Sequence, residues 1–325
     1  MYYICVRNVN EAYRRGANLL NEVGQVMPSR AGTVVKAPRP VTTEYTRPNE
    51  RVLFDEKRNA NPFFHIAESV WMLAGERDAR WLDQFVHDFS SRFAEDDGQM
   101  HGAYGHRWIR HFGVDQISVV ADMLKSDPYT RRAVIGMWDP TIDLGVNKRD
   151  IPCNDVIFFR SREDRTLDGE LSGFILDMTV CCRSNDMIWG AYGANAVHFS
   201  VLQEFIAGAA GMKLGSYYQI SNDFHAYTTS MRPPGRTGDL YSVGVKTYPV
   251  FSPYLLEDCE KYVRGDGTYI SPWLVNVVNP MLSVHKTWKI HGPARALRTT
   301  HQIAADDWRA AAEIFLTNRL EARKS

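Results

Sequence analysis

The apolar run over residues 197–212 constrains this chain more than any other segment. It is the longest such stretch, yet His198, Gln203 and Glu204 interrupt it. A membrane span needs about 20 mostly apolar residues in succession. The run is therefore predicted to be a core helix over 196–208, apolar nearly all round, and such a helix must be enclosed by other elements. Candidate enclosing elements lie on either side. Residues 8–23, 62–74 and 115–125 carry helical periodicity, with Asn8 or Asn10 capping the first and Gly75 stopping the second. Residues 132–138, 156–160 and 171–180 have strand composition, and 29–33 reads as a turn. Strands interleaved with helices predict one mixed α+β domain spanning 1–325. Beyond Tyr227 the signals weaken. A Pro/Gly/Arg loop over 231–238 is followed by predicted helices at 255–262 and 304–323, with no chemical motif among them.

Charge narrows the partners. Lys plus Arg equals Asp plus Glu, 38 of each, for a formal net charge of zero. A neutral chain has no long-range field to gather nucleic acid or an anionic membrane, so neither is an expected partner. An anionic ligand must then be met by a local cluster of cations. The five cysteines (Cys5, Cys153, Cys181, Cys182 and Cys259) are odd in number and form no CxxC, which fits free thiols in a reducing cytoplasm. The opening Met1-Tyr2-Tyr3-Ile4 meets charge by Arg7, unlike a signal peptide. A cytoplasmic location is expected.

Chemistry-bearing residues are few. Cys153, in Ile151-Pro152-Cys153-Asn154, sits where a loop enters a strand. A thiol becomes a useful nucleophile when a nearby cation enriches its thiolate. Two cationic groups stand out, the pair Arg131–Arg132 and Arg183, and guanidinium matches phosphate oxygens bidentately. His101, His106 and His111 are five apart, a spacing that suits neither one helix face nor one strand face, so no metal site is expected. GxGxxG, GxxxxGK[ST] and GxSxG are all absent. The residues alone support an enzyme with a thiol nucleophile and an anionic substrate.

Several short motifs, in order from about Asn8 to Tyr227, resemble those of thymidylate synthase and its pyrimidine-nucleotide hydroxymethylase relatives. They are Ser29-Arg30-Ala31-Gly32-Thr33, His65-Ile66-Ala67-Glu68-Ser69-Val70-Trp71, Gly102-Ala103-Tyr104-Gly105 with Arg107-Trp108, Thr130-Arg131-Arg132-Ala133-Val134 with Trp138, Pro152-Cys153, Arg183-Ser184-Asn185-Asp186 with Asn195, and Asp223-Phe224-His225-Ala226-Tyr227. The resemblance implies that family's α+β fold, a mixed sheet packed with helices, two such sheets standing back to back in a homodimer with shared sites. It implies a pyrimidine nucleoside monophosphate as substrate and 5,10-methylenetetrahydrofolate as co-substrate. Cys153 would attack C6 of the base. Arg30, Arg183 and Ser184 would hold the phosphate from one subunit, and Arg131 and Arg132 would reach it from the other. Arg183 would also lower the thiol's pKa. Glu68 would organise water and proton transfers near ring and folate, and Tyr104 would assist loss of the C5 proton. His225 and Tyr227 would bind the sugar, Asp186 the pterin and Asn195 the base edge. Residues 228–325 diverge from the family.

Three departures bear on the product. Ser90 stands where methylating members carry a tryptophan against the exocyclic methylene. The charged end Leu320-Glu321-Ala322-Arg323-Lys324-Ser325 replaces a short apolar lid. Asn154 replaces the histidine that follows the nucleophile. A wetter site favours water over hydride at the new carbon. The expected reaction is hydroxymethylation of dUMP, with thymidylate synthesis as the alternative. Asn195 suits a uracil edge, whereas an Asp would suit cytosine. The gap from Asp186 to Asn195 is one residue longer than in the synthases, which keeps a cytidine nucleotide open. A non-catalytic nucleotide- or RNA-binding role is disfavoured by Cys153, Glu68 and Tyr104 standing together.

Overall fold

The computed structural model describes residues 1–322. Ten strands are arranged in two sheets: β1 (Tyr2–Val6), β2 (Gln25–Ser29), β3 (Gly32–Lys36), β4 (Val41–Tyr45), β5 (Val134–Gly136), β6 (Asn154–Arg165), β7 (Leu171–Cys182), β8 (Asn185–Asp186), β9 (Lys213–Ser221) and β10 (Phe224–Tyr227). Seven helices of ten residues or more accompany them among the described residues: α1 (Val9–Val23), α2 (Pro62–Leu73), α3 (Gln116–Ser126), α4 (Asn195–Ala210), α5 (Leu255–Arg264), α6 (Asn279–His291) and α7 (Asp306–Glu321). The larger sheet runs β1-β4-β9-β7-β6-β5 and is mixed, with β1/β4 and β7/β9 parallel and the other pairs antiparallel. The smaller runs β2-β3-β10-β8. This is an α+β fold.

The apolar run becomes α4, enclosed by α2, α3 and the strands β7 and β9. Each of its polar interruptions faces a polar group. Gln203 donates from Nε2 to the carbonyls of Leu176 at 3.0 Å and Ser216 at 3.1 Å. Glu204 pairs with Arg51 and accepts the Val250 N–H at 3.0 Å. His198 faces Glu68 of α2. The helix runs two residues past the predicted end, because Gly211, at φ +72°, supplies the left-handed residue that terminates it.

The strand predicted over 132–138 shortens to Val134–Gly136. The N–H groups of Met137 and Trp138 both turn to the Asp155 carbonyl, so the ladder ends there, and Arg131 and Arg132 stay outside it. By contrast β6 and β7 extend to 12 residues each as one long hairpin. Helix α6 was not legible in the sequence. Pro280 looks like a breaker but occupies the first turn, where its missing N–H costs nothing.

The C-terminal helices close on α2. Phe63 of α2 meets the rings of His285 at 5.4 Å, Phe315 at 5.8 Å and Trp288 at 6.2 Å. No helix among the described residues is long and apolar enough to cross a membrane. The larger sheet carries helices on the α4 side. On its other side, register aligns Val134, Phe158, Thr179 and Tyr218 in one row and Val156, Cys181 and Ile220 in the next. All of these are half-buried or exposed.

Candidate active site

Cys153 lies in the loop immediately before β6, and Arg183 immediately follows β7. The register Asn154↔Cys182 makes the two neighbours, and the Arg183 N–H donates to the Cys153 carbonyl at 2.9 Å. The Arg183 guanidinium is fixed by the carbonyls of Pro152 at 2.7 Å and Ile151 at 3.0 Å, and lies against the Trp138 ring. Its Nη2 stands 3.9 Å from the Cys153 sulfur. Burial pushes the thiol up; Arg183 pulls it down, Asp150 and Asp155 push it up, and Arg30 pulls it down. The net direction is upward, so the cation expected to lower this thiol's pKa does act on it but is outweighed by burial. Arg30, at the exposed β2–β3 turn, is nonetheless near enough to be felt.

Tyr104 approaches from the other side, its hydroxyl oxygen accepting the Cys153 N–H at 3.1 Å. That leaves the tyrosine O–H proton free to donate elsewhere. The loop is brought this close because residue 105 is glycine: a Cβ there would overlap the Met72 carbonyl of α2. A buried ion pair then staples the turn. Arg107 holds Asp143 through two hydrogen bonds of 2.6 and 2.8 Å and reaches the carbonyls of Met137 at 2.6 Å and His101 at 2.9 Å. The histidines of this region are engaged, His101 with Asp143 at 2.7 Å and His111 with Asp139 at 2.8 Å. Among the described residues no cluster of three or more His, Cys, Asp or Glu could hold a metal ion.

Glu68 projects from α2, its Oε2 sealed and without a hydrogen-bond partner. Burial, and then the nearby Asp150, push its carboxyl up to about 8. Asn195 opens α4 inside a network of amides. Its Nδ2 donates to Asn185 Oδ1 at 3.1 Å, and it forms a longer reciprocal pair with Asn154, at 3.4 and 3.5 Å. Asn185 is in turn held by Gln219 and Ser221, both at 2.9 Å. Gly190 is part of this packing, since a Cβ would press on Asn185 Oδ1.

Asp186 accepts the N–H groups of Ile188 and Trp189 on Oδ1, while its buried Oδ2 has no partner. His225, on β10, is held by Asp223 at 3.1 Å and meets the Tyr227 ring at 5.8 Å. Ser184 is half-buried in the turn after Arg183. Arg131 and Arg132 stand apart, exposed before β5, with no ion pair among the described residues. The sequence reading passed over Asp150, Asp155, Asn185 and His198. Asp150 and Asp155 flank Cys153 in the chain and act on its thiol, but the nearness of Asp150 and His198 to Glu68, and of Asn185 to Asn195, arises only from folding. The one available signal was polar residues interrupting an apolar helix.

The arrangement joins a thiol, a fixed cation and a phenol where β6 begins, and Asp150 acts on both that thiol and the high-pKa Glu68 carboxyl. Residues 13–234 match the thymidylate synthase family model. The chain belongs to the thymidylate synthase family. It is a one-carbon transferase of that family's kind, and the family draws its one-carbon unit from methylenetetrahydrofolate. Three relatives illustrate the similarity. A deoxyuridylate hydroxymethyltransferase of Pseudomonas phage M6 is 39% identical, over 100% of this chain and 97% of that protein. One of Bacillus phage SP01 is 36% identical over 63% of this chain and 53% of its own length. A thymidylate synthase of Corynebacterium aurimucosum is 29% identical over 51% of this chain and 59% of its own length.

Proposed function

We propose that the protein hydroxymethylates dUMP at C5, taking the carbon from 5,10-methylenetetrahydrofolate and the oxygen from water. The observation that carries this reading is the end-to-end likeness to a deoxyuridylate hydroxymethyltransferase, which includes the C-terminal section outside the family model. The whole of 1–325 then works as one catalytic domain, with α5, α6 and α7 of the divergent section packed on α2, the helix that carries Glu68.

In this reading the Cys153 thiolate adds to C6 of the uracil, stabilised as it forms by Arg183, and electron density moves to C5. C5 bonds to the one-carbon unit supplied by folate, whose amine departs. Loss of the C5 proton, assisted by the Tyr104 hydroxyl, leaves an exocyclic methylene on the ring. Water adds to that carbon and loses a proton as the ring expels the thiolate, so one water is consumed and tetrahydrofolate is returned. Glu68 stands ready as a protonated carboxyl near neutral pH and can give and retake a proton along this path.

Substrate recognition follows from the amides and cations. The weak Asn154 contacts can give way while the Asn185 contact stays, freeing one Asn195 N–H for O4 and one lone pair for N3–H. Arg30, Arg183 and Ser184 bind the phosphate, with His225 and Tyr227 at the sugar. Asp186 Oδ2, buried and unpartnered, fits an N–H edge such as a pterin presents. Arg131 and Arg132 serve the other site of a homodimer that pairs the uncovered sheet faces. Water is favoured over hydride because Ser90 is a small residue, its hydroxyl donating to Asp83 at 2.6 Å and its backbone N–H at 2.8 Å. Leu320 and Glu321, part of the expected charged tail, belong to α7 and form no apolar lid, and Arg323–Ser325 lie outside the described residues. Incubation with dUMP and methylenetetrahydrofolate, with the product weighed, tests the reading. 5-Hydroxymethyl-dUMP with folate left as tetrahydrofolate is expected. Thymidylate with stoichiometric dihydrofolate would overturn it.

A further inference from the structure

We propose that His198 is a positioning residue that accepts the proton of Glu68 in a buried hydrogen bond, so that Glu68 enters the reaction as an acid with one oxygen committed and the other presented to the substrate. The proposal rests on the one-carbon transfer reading for Glu68's role, but its geometry stands independently. His198 Nε2 lies 3.2 Å from Glu68 Oε2, with the two side chains 2% and 14% exposed. As placed, neither atom makes a hydrogen bond to any group, although both are sealed from solvent. Two unpaired buried polar atoms facing each other at this distance are each costly alone and inexpensive together if a single proton lies between them. The opposed atoms are one carboxyl oxygen and one imidazole nitrogen, so a neutral acid and a neutral ring share one proton without burying a net charge.

The surroundings favour that neutral state. Burial drives the His198 ring down to about 3, offset only by the His65 backbone, and drives Glu68 up to about 8. From α2 the pair is faced by His65, itself held far below its usual value by burial and by His198 and Arg58. From the loop before β6 it is faced by Asp150, whose charge opposes ionisation of Glu68. No Lys or Arg is paired with Glu68 among the described residues. The remaining exposure of Glu68 lies away from Oε2, which leaves Oε1 as the edge open to a ligand. His198 reaches this position because it is the fourth residue of α4, one turn beyond Asn195, so base recognition and proton placement are set by the same helix end.

The test compares wild type with His198→Ala, His198→Gln and Glu68→Gln. Infrared difference spectra should show a protonated-carboxyl band in the wild type at neutral pH that disappears in Glu68→Gln. The pH at which this band is lost should fall by about one unit in His198→Ala and return toward wild type in His198→Gln, whose carbonyl can also accept the proton. The alkaline limb of kcat should move in parallel, with KM for dUMP little changed. A band that titrates identically in wild type and His198→Ala overturns the proposal. If His198→Ala does not fold, absence of the band in wild type, or failure of His198→Gln to keep it, does the same. The spectra are independent of the product: thymidylate formation would sink the hydroxymethylase reading and leave this one standing.

Discussion

Replacing Asp143 by Asn should damage both stability and catalysis, although Asp143 is not proposed to touch any substrate. The Arg107–Asp143 pair has side-chain exposures of 1% and 0%. Breaking a fully buried pair from one side leaves an uncompensated charge and costs roughly 3–5 kcal/mol. Arg107 would keep the Met137 and His101 carbonyls, which places the expected loss near the lower end, about 3 kcal/mol. The same pair clamps the turn that carries Tyr104, so its hydroxyl should drift from Cys153, and a displacement of about 1 Å is worth about 100-fold in rate. Burial raises the Asp143 carboxyl, but its hydrogen bonds from Arg107, the Asp139 N–H and His101 win and hold it below its ordinary value. Its contribution is therefore present above the ordinary carboxylate pKa and fades as pH falls through the lowered one. Urea unfolding followed by tryptophan fluorescence, with kcat for dUMP on the same preparations, reads both effects. An Asp143→Asn protein within 1 kcal/mol of wild type and within twofold in kcat would refute the reasoning.

Three further outcomes are expected. Cys153→Ser should lose turnover by at least about 1,000-fold while calorimetry still detects dUMP binding, and retained turnover would remove the thiol mechanism. Glu68→Gln should stabilise the protein at neutral pH by up to about 3 kcal/mol. An unfolded Glu ionises near 4.5 and the folded one near 8, so wild-type stability falls as pH rises between them. His198 contributes with the opposite sign only below 6.5, its unfolded value, so melting curves between 6.5 and 8 isolate Glu68, and parallel curves for the two proteins would contradict its raised pKa. Mixing Arg131→Ala with Cys153→Ser should regain part of the activity that each lacks, because one hybrid site then has both intact parts. No recovery after confirmed subunit exchange would exclude shared sites.

The candidate site was more legible than the architecture that holds it. Cys153, Tyr104, Glu68 and Asn195 could be picked out because local motifs surround them. Helix boundaries at Asn8, Asp115 and Gly75 were readable from cap chemistry, which is local. Helix α6 and the short β5 were not, since the first hides a proline in its opening turn and the second is cut off by hydrogen bonds to Asp155. His198 shows the limit most clearly. In the sequence it interrupts an apolar helix, and only the packing of α4 on α2 turns that interruption into a partner for Glu68.

The strand order β1-β4-β9-β7-β6-β5 also governs the order in which this protein can assemble during synthesis. The pair β1–β4 is complete once residue 45 has been made, and the β5–β6–β7 group once residue 182 has been made, but the two share no edge. Only β9, ending at Ser221, joins them. Until the ribosome has passed that point the nascent chain carries two half-sheets with unpaired edges, and the core helix α4, made just before β9, has half a floor. Long-range closure of this kind is slow and leaves edges open to wrong partners. A stall or truncation before residue 221 should thus yield insoluble fragments, whereas one shortly after it leaves the full sheet able to form.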